Sequence, residues 1–309
     1  MSVSTRHRAA VIGQPVAHSL SPVLHEAAYA DLGLADWRYT SRDVAPGELE
    51  EVLAALGAPA GEGPTWEGLS VTMPHKQRLL TLVDVVDPLA QTVGAANTVV
   101  AQRSGTGPAL LAAFNTDVAG IVGAFRDAAP SEPLRDGGSL TAFVLGSGAT
   151  ACSALAALTE LGAARVVVAA RHHAGPGRAL AAAHRMGLEI ETITWRPDDP
   201  ASCREVAQAL AQARLAVSTL PARGADPLVP ALRERLEALG LRGGATLLDV
   251  VYDPWPTALA TAWQQGGGTV AAGWLMLLHQ AVPQVRLMTG HLPDVAVMRR
   301  AVTQALERR

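Results

Sequence analysis

The run VLGSGATACSALAALTELG, residues 144–162, decides how the chain is read. Gly146 and Gly148 follow an apolar run with the character of a buried strand, 140–145. They precede a stretch of helical spacing, 149–161, and a second strand-like run, 165–170. The string has the form G-x-G-x-x-A, with Ala151 in the third position. The glycines allow a tight turn and close approach of backbone to ligand, and the helix N-terminus offers N–H donors to a pyrophosphate. A glycine turn between strand and helix is common by itself. Strand, helix and second strand in the right order make Gly146, Ser147, Gly148, Ala149 and Thr150 the candidate dinucleotide loop.

The end of the second strand selects the dinucleotide. NAD-binding units typically place Asp or Glu there to accept from a ribose hydroxyl. This chain has Arg171, followed by His172 and His173. A guanidinium pairs with a 2′-phosphate that a carboxylate would repel. An arginine closing a strand at the surface is ordinary, but its place relative to the glycines favours NADP (NADPH when reduced).

Further strand-like runs at 190–195, 216–218 and 246–250 alternate with helical stretches, which argues for a parallel sheet covered on both faces. Residues 117–128 read as a helix and DGG at 136–138 as a linker-like turn. The first third also alternates, with strands expected at 9–13, 37–43 and 69–72 and helices at 21–32 and 46–56. Another helical stretch lies near Pro88, a loop at 57–64, a hairpin or loose loop at 104–108, and a helix after His75. Everything from Trp274 onward reads as helical.

Composition bounds the function. A chain of 309 residues favours roughly two domains of about 150 residues each. The hydrophobic fraction of 49% with 4% aromatic residues describes a core of Ala, Leu and Val, ample for a globular enzyme. A formal net charge of -3 offers no surface for nucleic acid or membrane. Apolar runs such as 166–170 fall far short of the ~20 residues of a membrane span. The N-terminus MSVSTRHR lacks a signal-peptide core, and Cys152 and Cys203 stand apart without metal-ligand spacing. The expectation is a soluble cytoplasmic protein acting on a small molecule, without a metal and with monomer and homodimer both open.

Several polar clusters ask for a role beyond folding. In GLSVTMPHKQ, residues 68–77, Lys76 stands where a strand gives way to a helix. A lysine on a first helical turn is ordinarily just solvated and is disfavoured by the positive helix end. HSLSP places Ser19 and Ser21 at a helix start. Ser21 suits an N-cap with Pro22 following, yet two hydroxyls there could also grip a carboxylate. GAANT places Asn97 before a strand, and FNTD places Asn115 and Asp117 at a helix start. A turn or a cap would explain each of these as well as a ligand would.

Their order settles the matter. HSLSP, VTMPHK, GAANT, NTD, the Gly-x-Gly loop, DVVYDPWPT around Tyr252 and AGWLMLLHQ ending at Gln280 together resemble the shikimate dehydrogenase family over nearly the whole chain. The resemblance implies reduction of 3-dehydroshikimate to shikimate with NADPH, on the route to chorismate and the aromatic amino acids. It implies that Ser19 and Ser21 hold the substrate carboxylate with Tyr252 assisting. Thr72, Asn97, Asp117 and Gln280 would bind ring hydroxyls, and Lys76 with Asp117 would form the catalytic pair. Val250 and Gly273 would lie near the nicotinamide.

The implied architecture is two-domain α/β. Residues 1–116 and 275–309 would form a substrate-binding domain, and 117–274 a doubly wound Rossmann-type NADP domain. Departures from the family pattern are Ser70 where many relatives have Asn, Ala149 where a third glycine is frequent, and His172 in place of a threonine. Arg178 is a candidate for the displaced second basic residue. Rival readings are a quinate or aminoshikimate dehydrogenase of the same fold and a catalytically silent NADP-binding sensor. Arg171 counts against an NAD-preferring quinate enzyme, and the Lys76 and Asp117 pair counts against the sensor.

Overall fold

A computed structural model describes residues 4–129 and 140–309. The chain divides into two units, Met1–Thr116 with Leu277–Arg309, and Asp117–Met276. In chain order the first unit supplies strands β1 (His7–Gly13), β2 (Trp37–Asp43), β3 (Thr65–Val71), β4 (Val85–Val86), β5 (Thr98–Gln102) and β6 (Leu110–Phe114). Its helices here are α1 (Ser21–Asp31), α2 (Leu49–Gly57) and α3 (Pro88–Val93). The second unit runs α4 (Asp117–Ala128), β7 (Leu140–Leu145), α5 (Ala149–Glu160), β8 (Ala163–Ala170), α6 (Ala179–Met186), β9 (Ile190–Thr194) and α7 (Pro200–Ala211). It continues with β10 (Leu215–Ser218), α8 (Val229–Leu239), β11 (Thr246–Asp249), α9 (Ala258–Gln265) and β12 (Thr269–Ala272). Helix α10 (Gly273–Thr289) begins in the second unit and ends in the first, and α11 (Val295–Glu307) follows.

The first sheet has the order β2-β1-β3-β5-β6-β4. Helical crossovers α1 and α2 force β1 to run parallel to β2 and β3, whereas the short loop 103–109 closes β5 and β6 as an antiparallel hairpin. The sheet is therefore mixed, with β3 and β5 antiparallel and β4 parallel to β6. The Gly-rich patch 104–108, expected as a hairpin or a loose loop, forms the connection of the β5–β6 hairpin. Ile12, Leu53, Leu56, Leu69, Val71 and Val99 fill the core beneath α2. Helix α1 packs against α11.

The second sheet is parallel throughout, in the order β12-β11-β10-β7-β8-β9. Strand order reverses beside β7, and ligands of open parallel sheets bind at that switch, outside the carboxyl ends of the strands. Phe143, Leu145, Val167, Leu210, Leu232, Leu247 and Trp263 build one core of this unit. Among the described residues no helix is long and apolar enough to cross a membrane.

Three expectations need correction. No α-helix follows His75; a turn leads to a single 3-10 turn, Arg78–Thr81. The helix expected over 46–56 splits into a 3-10 turn, Pro46–Glu48, and α2. The helical C-terminal stretch breaks at Gly290, whose φ of +77° suits glycine, before Asp294 caps α11. The linker-like DGG at 136–138 lies outside the described residues.

Candidate functional site

In the first unit the backbone at the end of β3 is held on several sides. Thr72 N donates to Ile12 O (2.9 Å), Gln14 N to Met73 O (3.0 Å) and His75 N to Thr72 O (3.0 Å). Gly13 lacks a Cβ, and one built there would collide with the Thr72 side chain. The buried His75 ring donates through Nε2 to Val44 O at 2.7 Å. Lys76 is half-buried on this turn, and its carbonyl accepts from Ala96 N at 2.8 Å. The lysine thus stands on a turn braced against GAANT, not on a helix whose positive end would oppose its charge.

GAANT delivers Asn97 into a buried polar cluster. Asn97 Nδ2 donates to Thr116 Oγ1 (2.9 Å) and Gln280 Oε1 (3.2 Å), and its Oδ1 accepts from Thr116 N (2.7 Å). Asn97 O accepts from Val71 N at 2.7 Å, tying the cluster to the end of β3, just before Thr72. Asn97 and Gln280, far apart in sequence, are therefore in direct contact. Asn115 is occupied elsewhere, its Nδ2 donating to Ala95 O at 2.8 Å.

At the start of α1 the expected N-cap moves. Leu20 is the N-cap residue and offers no side-chain bond, while Ser21 is the first helical residue and is buried. It is Ser19 Oγ that accepts from Ser21 N, at 3.2 Å. Pro22 in the first turn lacks the N–H that a cap would otherwise have to satisfy.

In the second unit, Gly146 has φ +109°, and a Cβ there would collide with the Thr219 hydroxyl. Ser147 is buried, and its Oγ accepts from Ala179 N at 3.1 Å, so this side chain fastens α6 to the loop. Gly148 caps α5 without a side-chain bond, and a Cβ added there would meet only open space. The first-turn N–H groups at Ala149 and Thr150 thus belong to a helix end that lacks a side-chain cap. Arg171 and His172 are exposed just past β8, while His173 Nε2 donates to Ile193 O at 3.0 Å. Arg178, also exposed, is the N-cap residue of α6.

Val250 and Gly273 meet backbone to backbone, since a Cβ on Gly273 would fall on the Val250 carbonyl. Tyr252 is half-buried in the turn after β11. Asp117 is buried as the first residue of α4 and directly follows Thr116.

Sequence reading missed four groups that support these positions. Thr116 bonds Asn97, as described. Gln284 and Tyr39 both bond Ser70, at 2.9 and 2.6 Å. Asp249 accepts from Thr257 Oγ1 (2.7 Å) and Val251 N (3.3 Å), bracing the turn that bears Val250 and Tyr252. Burial raises the Asp249 carboxyl above its ordinary pKa, and hydrogen bonds from Thr257, Val251 and Ser218 oppose that rise. A signal existed for Gln284: it lies four residues after Gln280, on the same helix face. Among the described residues no cluster of His, Cys, Asp and Glu could hold a metal ion.

Residues 11–99 match the shikimate dehydrogenase substrate binding domain, and residues 273–303 the shikimate 5'-dehydrogenase C-terminal domain. The shikimate dehydrogenase (NADP(+)) of Rubrobacter xylanophilus is 37% identical over 301 residues, 95% of this chain and 94% of that protein. The chain belongs to the shikimate dehydrogenase family. A crystal structure of Mycobacterium tuberculosis shikimate dehydrogenase is similar with a TM-score of 0.76 at 37% identity, covering 97% of this chain and 99% of that one. The Thermus thermophilus shikimate 5-dehydrogenase, solved with NADP(H) and shikimate, is similar with a TM-score of 0.73 at 32% identity. That match covers 97% of this chain and 99% of the other. The two matched shikimate dehydrogenase segments contain Ser19, Ser21, Thr72, Lys76 and Asn97 in the first, and Gly273 and Gln280 in the second.

Proposed function

We propose that this chain is an NADP-dependent oxidoreductase that reversibly reduces the ring carbonyl of 3-dehydroshikimate to the hydroxyl of shikimate. The step belongs to the synthesis of chorismate and the aromatic amino acids. The observation that carries the reading is full-length similarity, 37% over 95% of the chain, to a shikimate dehydrogenase named for NADP(+). Residues 1–116 and 275–309 serve the substrate and 117–274 the cofactor in this reading. Two buried free cysteines accord with a cytoplasmic enzyme.

The second unit's residues fit the cofactor. Space in front of Gly148 and the α5 N-terminus without a side-chain cap suit a pyrophosphate, and exposed Arg171 suits a 2′-phosphate. Ser147, Ala149, Thr150, His172, Val250 and Gly273 complete the assigned contacts. Bound NADPH supplies the hydride. Lys76 holds a proton on Nζ, stabilises charge developing on the carbonyl oxygen and donates that proton. Asp117 is assigned as the second member of the catalytic pair. Ser19, Ser21 and Tyr252 orient the carboxylate, and Thr72, Asn97, Asp117 and Gln280 take the ring hydroxyls.

Purified protein with shikimate or quinate, each against NADP or NAD, tests the proposal through nicotinamide absorbance. Shikimate with NADP is expected to give the highest kcat/KM of the four. Faster turnover of quinate with NAD would overturn the substrate assignment, and no turnover by folded protein would point to a sensor.

A further inference from the structure

We infer that Gln284 is a positioning residue for substrate recognition, fixing Asn97 and Gln280 against one another. The inference rests on the shikimate reading above. Gln284 is 1% exposed, and its amide uses its whole hydrogen-bonding capacity. Nε2 donates to Asn97 O (3.2 Å) and Thr98 Oγ1 (2.9 Å), and Oε1 accepts from Ser70 Oγ (2.9 Å) and His25 Nε2 (3.3 Å). Its orientation is therefore determined, because a flipped amide would set oxygen against the Asn97 carbonyl. One helical turn away, Gln280 Oε1 accepts from Asn97 Nδ2. The two glutamines of α10 thus grip Asn97 by backbone and by side chain, and fix the helix on β5 at that register.

Ser70 belongs to the same device. It lies in β3, two residues before Thr72, and its hydroxyl accepts from Tyr39 OH while donating to Gln284. His25 stacks on Tyr39 with ring centroids 3.9 Å apart, closing the network behind Ser70. The serine that replaces the frequent asparagine is thereby committed to Tyr39 and Gln284. A buried polar group satisfied on all sides specifies one arrangement, since every displaced alternative leaves a buried donor or acceptor unpaired.

Gln284→Met keeps the side-chain length and removes the amide. Wild type and variant are compared by initial rates in both substrates, with melting temperatures as a control. The expected result is a shikimate KM raised by ~10-fold or more, with the NADP KM within about twofold of wild type, consistent with loss of several buried hydrogen bonds. Gln284→Glu keeps the acceptors for Ser70 and His25 but loses the donors to Asn97 and Thr98, and is expected to be similarly impaired. A shikimate KM within about twofold of wild type in folded Gln284→Met overturns the inference, as does an equal rise in both KM values. If that variant does not fold, Ser70→Ala is expected to raise the shikimate KM alone by ~2- to 10-fold, and an unchanged value overturns the inference. Wild-type protein without shikimate turnover would instead sink the functional reading, and this inference with it.

Discussion

At Lys76 the backbone is fixed before the side chain acts. Its carbonyl is bonded by Ala96 N and the preceding His75 is anchored to Val44, so the ammonium rises from a rigid corner. Lys76→Ala should lower kcat by ~10²–10⁴-fold, with a far smaller change in shikimate KM and an unchanged melting temperature. Normal turnover would return this lysine to the solvated surface. His25 makes a separate prediction. Burial lowers its pKa to about 3, and the bond to Gln284 opposes that only in part, so it stays neutral. In the unfolded chain it titrates near ~6.5. As pH falls below that value the unfolded state takes up a proton that the folded state refuses, and stability is lost down to the folded pKa of about 3. Between pH ~6.5 and ~5 this amounts to about 2 kcal/mol. His25→Phe retains the ring stack and should show a smaller drop in urea midpoint over that range. Equal drops in both proteins would remove His25 from the acid response.

At the scale of elements, the start of α1 separates two serines that look alike in the sequence. Ser19 accepts from Ser21 N and so braces the helix start, whereas Ser21 sits inside the helix. Ser19→Ala should therefore lower both stability, by about 0.5–1.5 kcal/mol, and substrate affinity. Ser21→Ala should raise the shikimate KM with little change in melting. Thermal melts beside steady-state kinetics decide it, and the opposite pattern would restore Ser21 as the cap. What could be read in advance followed side-chain chemistry. Runs such as 140–145 and 165–170 are apolar and β-branched or aromatic enough to announce buried strands, and β7 and β8 are there. The Ala-rich β6 and β12 and the two-residue β4 carry no such signal and depend on their neighbours for pairing. Lys76, Asn97 and Gln280 stood out through ordered motifs. The Gln284 network did not, because its members come from α1, β2, β3, β5 and α10 and meet only when the sheet is complete.

At the scale of the whole chain, the second unit is one continuous stretch, whereas the first is made of two pieces that bracket it. Translation therefore finishes the units in reverse order. Strands β1 to β6 are made first, but His25, Ser70 and Thr98 have no Gln284 to bond until α10 emerges, and α1 has no α11 to cover it. Asp117–Met276, by contrast, can close its parallel sheet while still tethered to the ribosome. Chains cut after Met276 and extended by a linker long enough to fill the exit tunnel before the arrest should resist protease in the second unit and be cut in the first. Equal resistance of both would show that the first sheet needs no C-terminal helices to fold. Gln280, which takes a ring hydroxyl in the proposed reading, thus comes after the whole second unit in chain order, so a chain terminated just before it would carry a finished second unit and lack that contact.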